Sequence, residues 1–481
     1  MKKTLILTTI LLVHLVVNAQ VKDVHASLEL QGVETTNDVV PFWLRSNQFG
    51  SIPLSGTSGS LIGKIRKDYD TTKTFGWGAS FEGRGNIGQG SQFILVEGLV
   101  KAHAGIFELK AGRSKDVVGL VDSLSSGSFP VSGNALGIPQ ISLSIPNYYS
   151  IPILGKLFAV KGAFANGYVG DVHVNSGRRS GKNRNYFLSN SVYVRVGQPS
   201  WRFKFLAGYN HEALWGDEKH VFPRFDLSGW ETYKYVVTGK VYQGSKVGNH
   251  LGSLDLGAEY KFDALTLLIY KQSFFDKGGL GSLANIQDGL NGISLINNEK
   301  NNTGNFYWKK AVFELFYSVN QAGALDAKST KSGAEDYYNN YEYLQGWSYK
   351  NLALGNPFIT TTLDARSNLV RSDNQFFVNN RVKAFYGAAQ FYAFKWFYTG
   401  KLSYSVNYGT YATGSEPYRG VGGIKQPSPI AFGKINQVSA YLEGLRPLKN
   451  GYNIGYDIGY DKGGLLYNSF GVILKASKTF L

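Results

Sequence analysis

The sequence predicts an all-β fold, a transmembrane antiparallel β-barrel with long loops partly filling or covering its lumen. Three observations lead there: side-chain hydrophobicity alternates with a period of two along most of the chain, the N-terminus has the layout of an export signal, and aromatics mark strand ends with no strong helix between them.

The alternation is the primary signal, because a strand in a closed barrel shows one face to lipid and the other to the lumen. From Phe75 to Arg84 the apolar phase is Phe75, Trp77, Ala79 and Phe81, against Gly76, Gly78, Ser80, Glu82 and Arg84. From Trp201 it is Trp201, Phe203, Phe205, Ala207 and Tyr209, with Leu206 breaking the polar phase. Tyr452, Ile454, Tyr456, Ile458 and Tyr460 alternate with Asn453, Gly455, Asp457, Gly459 and Asp461. Similar runs start near Ala26, Ile94, Leu188, Leu254, Ala311, Val382, Trp396 and Val438. The last strand has Val472, Leu474, Ala476 and Phe480 in one phase, interrupted by Lys478, an approximate form of the closing strand that barrel-assembly machinery reads. Soluble sandwiches and propellers also alternate, but they need neither the export signal nor the aromatic strand ends. Irregular stretches at about 114–155, 170–187, 211–232, 271–306, 320–378 and 411–433 read as extracellular loops or segments folded into the lumen, with weak helical pieces within 282–290.

Lys2 and Lys3 precede an apolar stretch from Leu5 to Val17, and Val17-Asn18-Ala19 offers a cleavage site before Gln20. The expectation is a signal peptide over 1–19, cut between Ala19 and Gln20, and a single barrel domain over 20–481 in the cell outer membrane. The stretch is short for a spanning helix of about 20 residues. Losing it removes two lysines, lowering the formal charge from +16 to +14. With no cysteine, disulfides, thiolate metal sites and lipidation at a terminal Cys are excluded. Gly 58, Tyr 31 and Phe 30 beside a single Met suit strands, turns and amphipathic rings at a membrane interface.

Motifs for catalysis fail on context. Gly83-Arg84-Gly85-Asn86-Ile87-Gly88 spells the dinucleotide fingerprint, but an alternating strand precedes it and another follows, so a hairpin turn is the expectation. His211-Glu212 starts like a zinc-protease helix, yet Trp215 stands where the second histidine belongs. No metal or cofactor is expected, nor an enzyme. Arg178, Arg179, Lys182 and Arg184 form a basic cluster, read either as a solvated loop or as an attractor of anionic glycan or lipopolysaccharide phosphates. Nucleic acid does not suit an exported chain.

Several segments resemble the Wzi-type capsule-assembly outer-membrane proteins. They are Gly112-Arg113, Leu124-Ser125-Ser126-Gly127-Ser128 with Ser132-Gly133-Asn134-Ala135, Val192-Tyr193-Val194-Arg195-Val196, and Ala207 to Gly216, which is similar to the family's G-x-x-H-x-x-x-W-G stretch. Ile286-Gln287-Asp288-Gly289, Tyr343-x-x-Gly346-Trp347-Ser348-Tyr349, Leu354-Gly355-Asn356-Pro357 and Asn380-Arg381-Val382 follow in order. The resemblance implies a monomeric barrel of about 18 strands that binds or organises capsular or surface polysaccharide without catalysis. It nominates His211, Trp215, Trp347, Tyr349, Asn356 and Arg381 as sugar contacts, with the basic cluster beside them, although Trp and Tyr in barrels also serve as interface anchors. A porin-like diffusion channel and a scaffold of a surface-assembly complex are the competing functions.

Overall fold

The computed structural model describes residues 23–480 apart from 89–90, 176–179, 217, 219–223, 300–304, 324–334, 341, 374, 421–422 and 428. Ala19, Gln20, Arg178 and Arg179 therefore lie outside the described residues. Eighteen strands form one antiparallel sheet. In chain order they are β1 (Val24–Thr35), β2 (Ser58–Lys67), β3 (Phe75–Gly88), β4 (Gln92–Ala104), β5 (Phe107–Arg113), β6 (Gln140–Ser150), β7 (Phe158–Asn175), β8 (Ser180–Val196) and β9 (Phe203–Trp215). The second half runs β10 (Asn249–Lys261), β11 (Leu265–Phe275), β12 (Gly289–Asn297), β13 (Phe306–Tyr317), β14 (Val382–Ala393), β15 (Trp396–Asn407), β16 (Ile435–Pro447), β17 (Tyr452–Gly463) and β18 (Ser469–Thr479). Each pairs with its chain neighbour, and β18 returns to β1 in register from Ser27 opposite Thr479 to Thr35 opposite Gly471, so the sheet closes and leaves no edge. Among the described residues no helix is long and apolar enough to cross a membrane.

Phase decides which side chains meet lipid. On β3, Phe75, Trp77 and Phe81 are exposed while Arg84 and Asn86 are buried inside. On β9, Phe203, Phe205 and Tyr209 point out, and Leu206, the exception in the pattern, is buried on the lumen side. The G-x-G-x-x-G segment lies on β3 itself and not in a hairpin turn. Arg84 points inward from it and donates to Asn86 Oδ1, Gln31 Oε1 and Ser60 Oγ, the work of a lumen residue rather than a phosphate loop. Two stretches expected to be irregular contain whole strands, β6 and β12, and a third, 170–187, is mostly the outer part of the β7–β8 hairpin.

The connections are sorted by length. One end of the barrel has short links such as 105–106, 262–264, 394–395 and 448–451. The opposite end carries 36–57, 114–139, 216–248, 318–381 and 408–434. In outer-membrane barrels short turns face the periplasm and long loops the exterior, which orients the molecule.

Four of those long loops turn inward. Loop 36–57 carries a single helical turn, Phe42–Arg45, held by Phe42 N–H on Asp461 Oδ2 and by the Trp43 indole N–H on Ser403 Oγ. Loop 114–139 goes deepest: the Leu120 N–H reaches Asp255 on β10, Ser294 on β12 donates to Asp122, and Lys310 on β13 pairs with Asp122 at 3.0 Å. Loop 318–381 lies over it, and Tyr411 of loop 408–434 is buried and donates to the Asn320 carbonyl. Together with wall residues such as Phe187, Tyr270, Phe316 and Tyr386, the first three loops make one continuous apolar core inside the barrel, and Phe432 of the fourth joins it. The fifth loop, 216–248, folds over the outside of β8, β9 and β10. Its helix α1 (Gly229–Thr238) starts at Ser228 and Glu231, whose side chains cap each other's backbone N–H, and ends at Gly239 in the left-handed region. Phe225, Leu227, Val236 and Val247 cover Leu188 and Ala213 of the wall.

Candidate functional site: an aromatic and cationic outer wall

The residues nominated from sequence fall in three separate places. Trp347, Tyr349 and Asn356 are buried in the lumen plug. The Trp347 indole N–H donates to Pro130 O at 2.7 Å, and the Tyr349 hydroxyl accepts from Arg113 at 3.2 Å. Asn356 accepts from Phe358 N–H, donates through Nδ2 to Gly127 O, and gives its backbone N–H to the Tyr338 hydroxyl. A two-residue turn with Lys350 and Asn351 at φ 51° and 68° folds Ser348-Tyr349 back on Leu352-Ala353. These groups join loop 318–381 to loop 114–139.

Arg381 stands at the outer end of β14, its Nε on Val319 O at 3.2 Å and its guanidinium 4.1 Å from the centre of the Tyr411 ring.

His211 and Trp215 face outward from β9 beneath loop 216–248. His250 Nε2 lies 2.8 Å from Val247 O, a carbonyl that only accepts, so this nitrogen bears the proton and His250 Nδ1 accepts from His211 Nε2 at 2.8 Å. The imidazole pair thus pins the loop to the wall.

Trp215 belongs to a wider surface. Tyr168 is opposite Tyr186 in the β7–β8 register, and Tyr186 is opposite Trp215 in β8–β9. Ring centres follow one another at 5.9 Å from Tyr168 to Tyr186, 5.0 Å to Trp215, 5.5 Å to Tyr233 and 5.7 Å to Trp230. The last two rings come from α1. Trp230 is 66 % exposed and Tyr168 48 %, so the row ends in open faces at both sides. Lys182 and Arg184 share the outward phase of β8 with Tyr186, and with Asp171 and Asn183 they line an open cavity of about 470 Å³. Because Trp215 is the last residue of β9 and pairs with Tyr186, residues 180–185 stand beyond the end of that neighbouring strand.

Sequence reading found Trp215, Lys182 and Arg184 but not Tyr168, Tyr186, Tyr233, Trp230 or Asp171. The signal was present in the register: with the 170–187 hairpin read as paired strands, Tyr168 and Tyr186 fall opposite each other. Among the described residues no group of three or more His, Cys, Asp or Glu has the arrangement of a metal site.

No protein-family model matches the chain, and no curated protein matches it in sequence. Solved structures do resemble it. Escherichia coli Wzi, an outer-membrane carbohydrate-binding β-barrel involved in group 1 capsule assembly, aligns at TM-score 0.54 and 10 % identity over 94 % of this chain and 83 % of its own. Acinetobacter baumannii OccAB2 aligns at TM-score 0.45 and 13 % identity over 95 % and 98 %, and Pseudomonas aeruginosa OpdQ at 0.45 and 10 % over 95 % and 99 %. At these identities the likeness to Wzi is one of fold, that of an outer-membrane barrel.

Proposed function

We propose that this protein resides in the outer membrane and holds exported acidic polysaccharide at the cell surface, without catalysing a reaction on it. One observation carries the reading: the lumen is packed by inward loops with their own hydrophobic core, while stacked aromatics and cations stand on the outer wall at its long-loop end. Sugar rings stack on aromatic faces, and guanidinium and ammonium groups bind the carboxylate or phosphate substituents of an acidic glycan. The fold likeness to a carbohydrate-binding barrel agrees with this choice, as do the motifs from Ala207 to Gly216. Export by a signal cut between Ala19 and Gln20 is part of the same proposal, and N-terminal sequencing of the envelope protein tests it.

The decisive experiment titrates the purified barrel with capsular and lipopolysaccharide glycans and records planar-bilayer conductance in parallel. Retention of a glycan with little steady conductance is the expected outcome. A large steady pore with no glycan retained would transfer the assignment to a diffusion channel.

A further inference from the structure

On another part of the wall, from β9 round to β15, the lipid-facing surface is concave. An apolar groove of about 870 Å³ runs there, its sides built by Phe205, Leu256, Phe313 and Phe385. The hollow follows from residue size in register: Gly387 lies opposite Phe313, and Ala258 lies opposite both Phe205 and Ile269, so small residues sit beside rings on the outward phase. Toward the extracellular end the phase turns cationic. Lys271, opposite Asn291, lines the groove and sends its ammonium up to Ile286 O at 3.0 Å. Lys383, one outward position above Phe385 on β14, holds its ammonium 5.7 Å from that ring. Arg381 follows two residues further up. Among the described residues that line it the only acid is Glu314, and its carboxylate faces the lumen, where it accepts from Tyr270, Ser125 and the Ser126 N–H.

We propose that this groove is a binding site for a phosphorylated, multiply acylated glycolipid of the lipid A type, with its acyl chains in the hollow and its phosphates on Lys271 and Lys383. The arrangement is that of an amphiphile: apolar below, cationic at the level where headgroups begin. Lys271 lies in register with Phe385 across three strand spacings, and Lys383 stands two residues further up, which places the two lysine Cα atoms about 16 Å apart, a span that their long side chains can narrow onto two anionic groups of one headgroup. A glycerophospholipid with one phosphate meets only one of them. A second copy of the chain is disfavoured by charge, since a two-fold contact along the groove would bring the same lysines toward each other.

The test is native mass spectrometry of the full-length barrel, delipidated in detergent and titrated with lipid A or with phosphatidylglycerol. The unaltered protein is expected to retain one lipid A, and Lys271→Glu with Lys383→Glu to lower its occupancy at least tenfold. Gly387→Leu fills the hollow without changing charge, and its added Cβ would meet Phe313 only at 3.7 Å, so it reports on the acyl chains separately. It should lower occupancy too. Heat-modifiable migration verifies folding, and Lys271→Gln with Lys383→Gln replaces the reversal if that variant fails to assemble. Glycan retention by the β7–β9 surface should be unchanged in all of them, which separates failure here from failure of the polysaccharide reading. Equal lipid A occupancy in the folded charge and Gly387 variants, displacement by phosphatidylglycerol at equal concentration, or a dimer dispersed by Gly387→Leu would each overturn the assignment.

Discussion

Trp347 and Trp215 carry the same indole, lie in motifs of similar appearance, and do opposite things. Trp347 is inside, with its ring in the plug core beside Phe187 and its N–H spent on the Pro130 carbonyl. Trp215 is outside, one member of a row whose end rings are open. The difference lies in what surrounds the ring. In a lumen packed by its own loops, aromatics and amides such as Trp347 and Asn356 are taken up in packing and pairing with other loops. On the outer wall the middle of the row packs against loop 216–248, and the faces left open are those of Trp230 and Tyr168. Asn356 and Lys182 divide in the same way: the amide ties Gly127 to Phe358, and the ammonium lines an open cavity.

The strongest test of that division is Trp347→Ala. Emptying a fully buried Trp site typically costs about 3–5 kcal/mol, and here it also removes the donor to Pro130 O. The plug should loosen, seen as a lower melting temperature and increased bilayer conductance, while glycan retention on the outer wall persists. Loss of retention with a still-closed lumen would place the binding site inside and break the comparison.

A second substitution pair probes the lipid face. Phe81 lies midway along β3, whereas Phe203 is the first residue of β9 at the periplasmic end. Arginine at Phe81 should cost about 2–4 kcal/mol and at Phe203 about 0–1, following the depth dependence of charge in barrels. Equal costs in reversible unfolding into lipid would show that the strands sit at another height.

Phases of this kind were legible in the sequence because period-two alternation is a local property. The strand pattern at Phe75, Trp201 and Tyr452 needed no knowledge of the rest of the chain. Strand β12 was hidden because its inward face meets plug loops, so Leu290 is apolar where a polar lumen residue was expected; β6 alternates only from Ile141 to Ser144 before its register shifts between Ile145 and Tyr149, around Pro146. The site was less legible still. Which of His211, Trp347 and Arg381 share a surface depends on which loops fold inward and which fold over the wall. That choice is made by contacts between residues such as Ser126 and Glu314, 188 positions apart, which no local pattern reports.

On the outer wall itself, Trp230→Ala, which removes the most open ring of the row, should weaken glycan retention by about 0.5–1.5 kcal/mol, the range for one aromatic stacking contact. Reversing Lys182 and Arg184 to glutamate should have an effect of similar or smaller size that shrinks as salt shortens the Debye length to about 3 Å near 1 M. An aromatic loss that is salt-independent beside a charge loss that salt abolishes would separate stacking from attraction. If both respond to salt alike, the rings contribute nothing of their own.

The smallest effect expected is a pH dependence where the inward and outward loops meet. Glu342, in loop 318–381 and outside the spanning strands, is pushed up to about 8, first by burial and then by the neighbouring Glu218 carboxylate, with Arg224 opposing. Glu218 itself links the two loops: it accepts from the Gly216 N–H and from the Tyr343 hydroxyl. A carboxyl whose pKa rises on folding binds its proton more tightly in the folded state, so the folded state gains most at low pH. That gain is complete below the ordinary value of 4.5 and is lost as pH rises through about 8. Contact between loops 216–248 and 318–381 should therefore tighten on acidification from pH 8 to pH 5. Hydrogen exchange at Tyr343 and Leu344 should slow over that interval, after correction for the intrinsic pH dependence of exchange. Glu342→Gln, which keeps the shape and removes the charge, should give the tightened state at both pH values. If the corrected exchange of the unaltered protein is flat, or if Glu342→Gln retains the full pH response, Glu342 is not the charge that governs this junction.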